Sequence, residues 1–328
     1  MRTRRNRHTR AGRLEAAASR VASPWSAVVL AVVAYHRAML SYRHAFHAGN
    51  HADVLKHLVL VQLLAHLLQK DKPFWYVDTH AGAARYLIDH PSTARNAEYG
   101  TGIGRLWGRR DVPPAVESYL AEVRRLNSDG RLRQYPGSPQ IALQMLRPAD
   151  RLRLFERHST EIRILQRQLE GEGRRAIAQP GDGFEALKSV LPPPPRRGVV
   201  LIDPSYEDKN DYRRARQALA EGLRRFATGT FALWYPLVQR RESRQLSVAL
   251  ERMGAPDWLH ASLTVKAPAP DGYGLHGSAL FVVNPPWTLA QTLRNTLPWL
   301  AEVLAQDPAA AFSLQTGASR PRRAQERD

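Results

Sequence analysis

Gly198-Val199-Val200-Leu201-Ile202-Asp203-Pro204-Ser205-Tyr206 is the stretch that decides the fold. Four consecutive aliphatic side chains, with no polar residue alternating between them, fit a strand covered on both faces; a half-solvated strand would alternate. The run stops at an acid followed by proline, which cannot continue a ladder. Outward from it, similar segments alternate with helical ones. Strands are expected at Phe74–Asp78, Arg151–Glu156, Arg174–Gln179, Gly198–Asp203 and Gly229–Tyr235. Helices are expected at Asp53–Gln69, Glu161–Leu169, Gly183–Leu191 and Tyr212–Phe226. That alternation predicts a doubly wound, mostly parallel α/β sheet. Leu259–Lys266 and Ser278–Asn284, joined by a Pro/Gly-rich connection, add an antiparallel hairpin at the sheet edge.

Residues 79–150 are far too many for a simple crossover, so residues 87–134 read as an inserted helical subdomain with a helix over Pro114–Leu126. Residues 1–38 carry eight arginines against one acid, and only the short run Ala27–Ala34 among them is apolar. Eight residues cannot span a bilayer, which takes roughly 20. This segment reads as a disordered basic extension, or as upstream sequence translated before a start at Met39; an export signal is the alternative. Residues 39–307 are expected to form the folded domain and residues 308–328 a flexible tail.

The chain has 328 residues, 43% of them hydrophobic and 24% charged, which excludes wholesale disorder and fibrous classes. It has no cysteine, which removes disulfides, thiolate metal sites and a thiol nucleophile. Its net charge is +18, and half of that excess lies between the two basic ends. A folded body this basic calls for a polyanionic partner, a nucleic acid or an acidic membrane surface.

Ligands of open α/β sheets sit at the carboxyl ends of the strands. There the sequence places Asp78-Thr79-His80-Ala81-Gly82-Ala83, then Glu156, then Asp182-Gly183, then Asp203-Pro204-Ser205-Tyr206. The small-residue turn admits a ligand to the backbone, Glu156 suits ribose hydroxyls, and Asp182 suits an adenine edge. An isolated acid is most often a solvated loop residue; acids at successive strand ends together outline a nucleoside pocket. Asn284-Pro285-Pro286-Trp287 fits a generic (Asp/Asn)-Pro-Pro-aromatic pattern better than Asp203–Tyr206 does, but it follows the last expected strand, and the order of elements makes it a strand-exit turn. His44, His47, His51 and His57 lack a regular metal-ligand spacing, and no metal is expected. Gly100-Thr101-Gly102-Ile103-Gly104 follows no strand and reads as loop.

Asp203–Tyr206 resembles the Asp-Pro-Pro-Tyr signature of methyltransferases acting on exocyclic amino groups, with Ser205 replacing the second proline. In such a loop a carboxylate and a carbonyl accept the two N–H bonds of a poorly nucleophilic amino group, while an aromatic ring stacks on the extruded base. Met39–His44, His47–His57, Asp78–Gly82 and Tyr135–Pro139 join that loop in resembling the RlmJ-type 23S ribosomal RNA adenine-N6 methyltransferases, from about Met39 to Leu304. The resemblance implies a Rossmann-like class I methyltransferase sheet with an inserted helical subdomain. It implies S-adenosyl-L-methionine as cofactor and 23S rRNA as partner, in a cytoplasmic monomer that binds neither membrane nor metal. Carried over, His57, His80, Ser138, Glu156, Asp182 and Gly183 hold the cofactor. Asp203, Pro204 and Tyr206 form the catalytic loop, and Tyr42 meets the RNA. The alternatives are a DNA adenine-N6 methyltransferase and a non-catalytic RNA-binding assembly factor.

Overall fold

The computed structural model describes residues 47–88 and 98–318. The extension 1–38, Tyr42 and His44 lie outside that range. In chain order come α1 (His51–Leu68), β1 (Trp75–Asp78), β2 (Arg85–Leu87), α2 (Ile103–Leu106), α3 (Pro114–Arg125), β3 (Gln134–Pro136) and α4 (Ser138–Met145). There follow β4 (Arg151–Glu156), α5 (Ser159–Gln168), β5 (Ala176–Pro180), α6 (Gly183–Val190), β6 (Gly198–Ile202) and α7 (Asn210–Arg225). The chain continues through β7 (Thr230–Leu237), α8 (Arg241–Glu251), β8 (Asp257–Thr264), β9 (Gly277–Val283), α9 (Leu289–Leu304) and β10 (Ala311–Ala318).

Eight of the strands form one sheet in the order β10-β8-β9-β7-β6-β1-β4-β5. Strands β7, β6, β1, β4 and β5 are parallel, and β9, β8 and β10 join antiparallel. The aliphatic run of β6 divides between two cores. Val199 and Leu201 face the cluster built from α1, α3, α4, α5 and α9, while Val200 and Ile202 face the one built from α6, α7 and α8. A strand lying between two apolar layers has no solvated face, which is why its sequence does not alternate. Each such side chain contributes about 1.5–3 kcal/mol by leaving water.

Helix α1 is buried nearly all round, against β9, α3 and α4. By length and composition it could cross a membrane, yet 67% of it is buried inside the protein, so its apolarity has a folding explanation. Asn50 caps it by accepting from the Ala52 and Asp53 N–H groups, both at 3.0 Å. The inserted segment is closed by the antiparallel pair β2–β3. Its Ile103, Leu106, Val116, Tyr119 and Leu120 belong to the same core as Leu55 and Leu58 of α1. Gly102 is where the insertion meets α1. A Cβ there would lie 2.1 Å from the Gly49 carbonyl oxygen, so only glycine permits the approach. The segment expected as a plain loop thus becomes a docked turn leading into α2.

The tail expectation fails over residues 311–318. These form β10, which pairs with β8 from Ala311↔Thr264 to Ala318↔Asp257 and extends the antiparallel edge beyond the β8–β9 hairpin. An outermost strand buries little side-chain surface, so its sequence carries little pattern. Ending the chain after Ala310 would leave the outer edge of β8 unpaired. We expect the Tm in a thermal melt to fall by at least about 4 °C, corresponding to ~2 kcal/mol, with more aggregation from the bare edge. An unchanged Tm would show that β10 adds nothing to stability.

Candidate active site

Chain order reverses between β1 and β6: the path runs outward from β1 to β4 and β5, then returns to β6 and β7 on the other side. The crevice beyond the carboxyl ends of these strands is where such sheets bind ligands. Asp78 ends β1 and Asp203 follows β6, one on each side of the reversal.

Asp203 does not stand alone. Lys56 of α1, only 7% exposed, donates from Nζ to Asp203 Oδ2 at 2.6 Å and to Asp53 Oδ1 at 2.8 Å. The same ammonium lies 5.5 Å from the centre of the half-buried Trp234 ring on β7. Asp53 is held in turn by the Gly49 N–H, 2.9 Å from Oδ2. Burial disfavours the Lys56 charge, but Asp203 and Asp53 outweigh that and hold the ammonium above its ordinary range. Burial opposes the Asp53 charge too; Lys56 and His57 overcome it and keep that carboxyl well below its usual value. For Asp203 burial wins: its carboxyl is pushed up to about 7 against the pull of Lys56. The crevice therefore holds a carboxylate that titrates near neutrality, tied to one cation. Removing a single member of a buried pair typically costs about 3–5 kcal/mol, so this cluster fixes α1 to the end of β6.

On the other side, Asp78 is fully buried. It accepts from the Tyr76 hydroxyl at 2.6 Å, the Ser138 hydroxyl at 2.7 Å and the His80 N–H at 3.1 Å. The turn after β1 leans on Glu156, whose Oε2 accepts from the Gly82 N–H at 2.8 Å and whose Oε1 accepts from the His158 N–H at 2.7 Å. Burial raises the Glu156 carboxyl, and those two N–H groups act against the rise. His80 packs edge-on to Phe184, with ring centres 4.7 Å apart, and burial lowers its imidazole to about 4, so it is neutral. His57 stacks on Tyr135 and shares a 2.8 Å hydrogen bond with its hydroxyl, which meets the Tyr119 hydroxyl at 3.0 Å. Burial lowers His57 to about 3. Gly183 opens α6 so close to the turn that a Cβ would lie 1.8 Å from the Thr79 carbonyl oxygen.

These residues lie within a chain that has close relatives. Residues 71–315 match the protein family described as Ribosomal RNA large subunit methyltransferase D, RlmJ. The chain belongs to this methyltransferase family. It is 47% identical over 262 residues to Ribosomal RNA large subunit methyltransferase J of Escherichia coli (strain K12), covering 80% of this chain and 93% of that one. The corresponding Haemophilus influenzae protein is 42% identical over 278 residues, covering 84% and 98%. A crystal structure of protein LPL1258 from Legionella pneumophila aligns with a TM-score of 0.76 and 32% identity, over 83% of this chain and 98% of that one. The sheet described above is therefore a Rossmann-like methyltransferase fold.

In this RlmJ-family chain the structure gathers Asp78, His80, Gly82, Ser138 and Glu156 around one turn, with Asp182 and Gly183 opening the neighbouring helix. Asp182 is more committed than expected. Its Oδ1 caps α6 by accepting from the Phe184 N–H at 3.0 Å, and its Oδ2 pairs with Arg214. Burial raises this carboxyl, but Arg214 and the capped N–H groups leave it below its ordinary range. Asn284 lies at the amino end of β7, donating to the Ala227 and Gly229 carbonyls at 2.8 and 2.7 Å, on the side of the sheet away from the crevice. His47 faces Glu98, whereas His51 is buried. Among the described residues no group of three or more metal-ligating side chains converges.

Tyr206 departs from expectation. A ring displayed for base stacking should be open, yet this residue is 2% exposed. With a φ of 55° the chain turns the ring inward, 4.5 Å from the Tyr212 ring and 6.0 Å from that of Trp234, and its hydroxyl donates to the Trp234 carbonyl at 2.7 Å. A large ring beside an apolar pocket gains more by filling it than by facing water. The sequence reading missed Lys56, Asp53 and Trp234. The available signal was a lysine set in the leucine- and valine-rich run of α1, a helix buried nearly all round.

The glycine at 183 gives a direct test. Gly183→Ala must push α6 away from β1, so its urea midpoint should fall by an amount corresponding to about 1–3 kcal/mol. An unaltered midpoint would show that the backbone there has room to yield.

Proposed function

We propose that this chain transfers a methyl group from S-adenosylmethionine to the N6 amino nitrogen of an adenine in 23S ribosomal RNA. The observation that carries the reading is the Lys56-paired carboxylate of Asp203 at the carboxyl end of β6, facing the Glu156-braced turn across the point of strand reversal. The donor set suits the cofactor. Glu156 retains lone pairs for a ribose diol, the Ala81-Gly82-Ala83 turn is built of small residues, and Gly183, lacking a Cβ, lets the start of α6 close on the Thr79 backbone beside that turn. His57, His80, Ser138, Asp182 and Gly183 would complete the binding set. The bound cofactor supplies an electrophilic methyl on a sulfonium centre.

The chain's own residues do the rest. The Asp203 carboxylate and the Pro204 carbonyl accept the two N–H bonds of the adenine amino group, so its lone pair is freed from the ring and can be aimed. As positive charge grows on that nitrogen, the Asp203 carboxylate stabilises it and is placed to take up the proton. Lys56 keeps this carboxylate ionised and fixed in position, so alignment and preset charge supply most of the acceleration. Trp234, beside Lys56, is the partly exposed ring at this site; Tyr206 supports the loop from within. The substrate puts the enzyme in the cytoplasm with the ribosomal RNA.

Asp203→Ala should lower methyl transfer to unmodified 23S rRNA by at least about a hundredfold while S-adenosylmethionine affinity in calorimetry changes only slightly. Label appearing on DNA adenine instead of RNA would move the activity to a DNA substrate. Absence of cofactor affinity would favour a non-catalytic RNA-binding role.

The pH dependence has a defined sign. Activity requires ionised Asp203, whose folded value is about 7, so kcat/KM should be level above that pH and decline tenfold per unit below it. In Lys56→Met the cation that pulls the value down is gone, so the acid limb should move to higher pH. A limb that stays in place would exclude the pair from control of the titration.

A further inference from the structure

Helix α8 begins beside the catalytic loop with Arg240, Arg241 and Arg244. Arg240 Nη1 donates to the Tyr206 carbonyl at 3.0 Å. Because α8 follows β7, its first turn lies at the carboxyl edge of the sheet, the edge that carries Asp203. Arg241, Arg244 and Arg252 are exposed and, with Val248, line a shallow open groove along the helix. Among the described residues no carboxylate forms an ion pair with any of these three. On neighbouring α7 three of the five arginines are paired, Arg214 with Asp182 and Arg224 and Arg225 with Glu221. Arginines at the start of a helix also face the positive end of its dipole, so Arg241 and Arg244 do not serve the stability of α8. Their planar donor forks match phosphate oxygens.

A second feature rises from the same rim. β9 begins at Gly277, paired with Leu237 at the end of β7, so the β8–β9 connection stands at the carboxyl edge. Gln239 ties that connection to the start of α8 by donating to the Ala269 carbonyl at 2.9 Å. It carries Tyr273, 81% exposed. An exposed ring on the same rim as arginines free of carboxylate partners is the combination that single-stranded nucleic acid uses, with bases on the ring and phosphates on the cations.

We propose that the start of α8 and Tyr273 form the RNA-docking rim of this enzyme. Arg241 and Arg244 hold backbone phosphates next to the target adenine, and Tyr273 stacks under an unpaired neighbouring base. Arg240 links the rim to the catalytic loop. The inference rests on the RNA substrate of the preceding reading and adds the surface that grips it.

The test is binding of the full chain to unmodified 23S rRNA transcript across a salt series from about 50 to 200 mM. Arg241→Ala/Arg244→Ala should weaken binding about tenfold at the low end and flatten the log–log salt slope by about 1.5, the release expected from two phosphates. Tyr273→Ala should weaken binding about fivefold or more with the slope intact, because stacking releases no counterions. Arg174→Ala/Arg196→Ala removes the same charge at the amino ends of β5 and β6 and should leave both quantities near wild type. The proposal is overturned if the α8 pair keeps the wild-type slope, or if the control pair flattens it equally. It is also overturned if the α8 pair loses only binding to phosphatidylglycerol vesicles, which would make the rim a membrane surface. Cofactor affinity, measured in parallel, separates the outcomes: its absence from the wild type counts against methyl transfer, whereas its retention beside an unchanged slope counts against the rim alone.

Discussion

A buried ammonium shared by two carboxylates ties this molecule together. Lys56 comes from a helix laid across one face of the sheet, and Asp203 from the end of the strand at the centre of the sheet. The apolar packing of α1 supplies the energy that keeps Lys56 out of water, and the two acids supply the reason it stays charged. Neither part holds without the other: a lysine at that depth without acids would lose its proton, and Asp203 without the lysine would keep its own at neutral pH. Folding and reactivity thus meet in one side chain.

The parallel sheet was legible because a strand with two covered faces has a plain signature, and Val199–Ile202 bears it. The strand-end acids were legible because topology assigns ligands to that edge whatever the ligand is. Lys56 was not, since its partner Asp203 is 147 residues away and no local pattern joins them. The inward direction of Tyr206 was not legible for a different reason. Residue type says what a ring can do, but its direction is set by a φ of 55° and by a carbonyl on the next strand that takes its hydroxyl. Strand β10 escaped notice because an exposed edge strand is held by backbone pairing, which side-chain patterns do not record.

The inserted segment illustrates the limits of dividing a chain by sequence alone. Its length marks it as an addition, yet Ile103, Tyr119 and Leu120 pack with α1 in a single core, and Gly102 brings its backbone against the turn that caps α1. The hydroxyls of Tyr119 and Tyr135 run from the insertion to His57. The addition thus braces the helix that carries Lys56.

Glu156 has little freedom to move. Each of its oxygens already receives a backbone N–H, one from Gly82 and one from His158, so the group is clamped at both ends. A clamped acceptor cannot swing to follow a guest. With Glu156 on the ribose diol, as proposed above, a nucleoside whose sugar lacks one of the two adjacent hydroxyls would leave a lone pair facing an empty position, and discrimination of that kind would be built from rigidity, without any added contact.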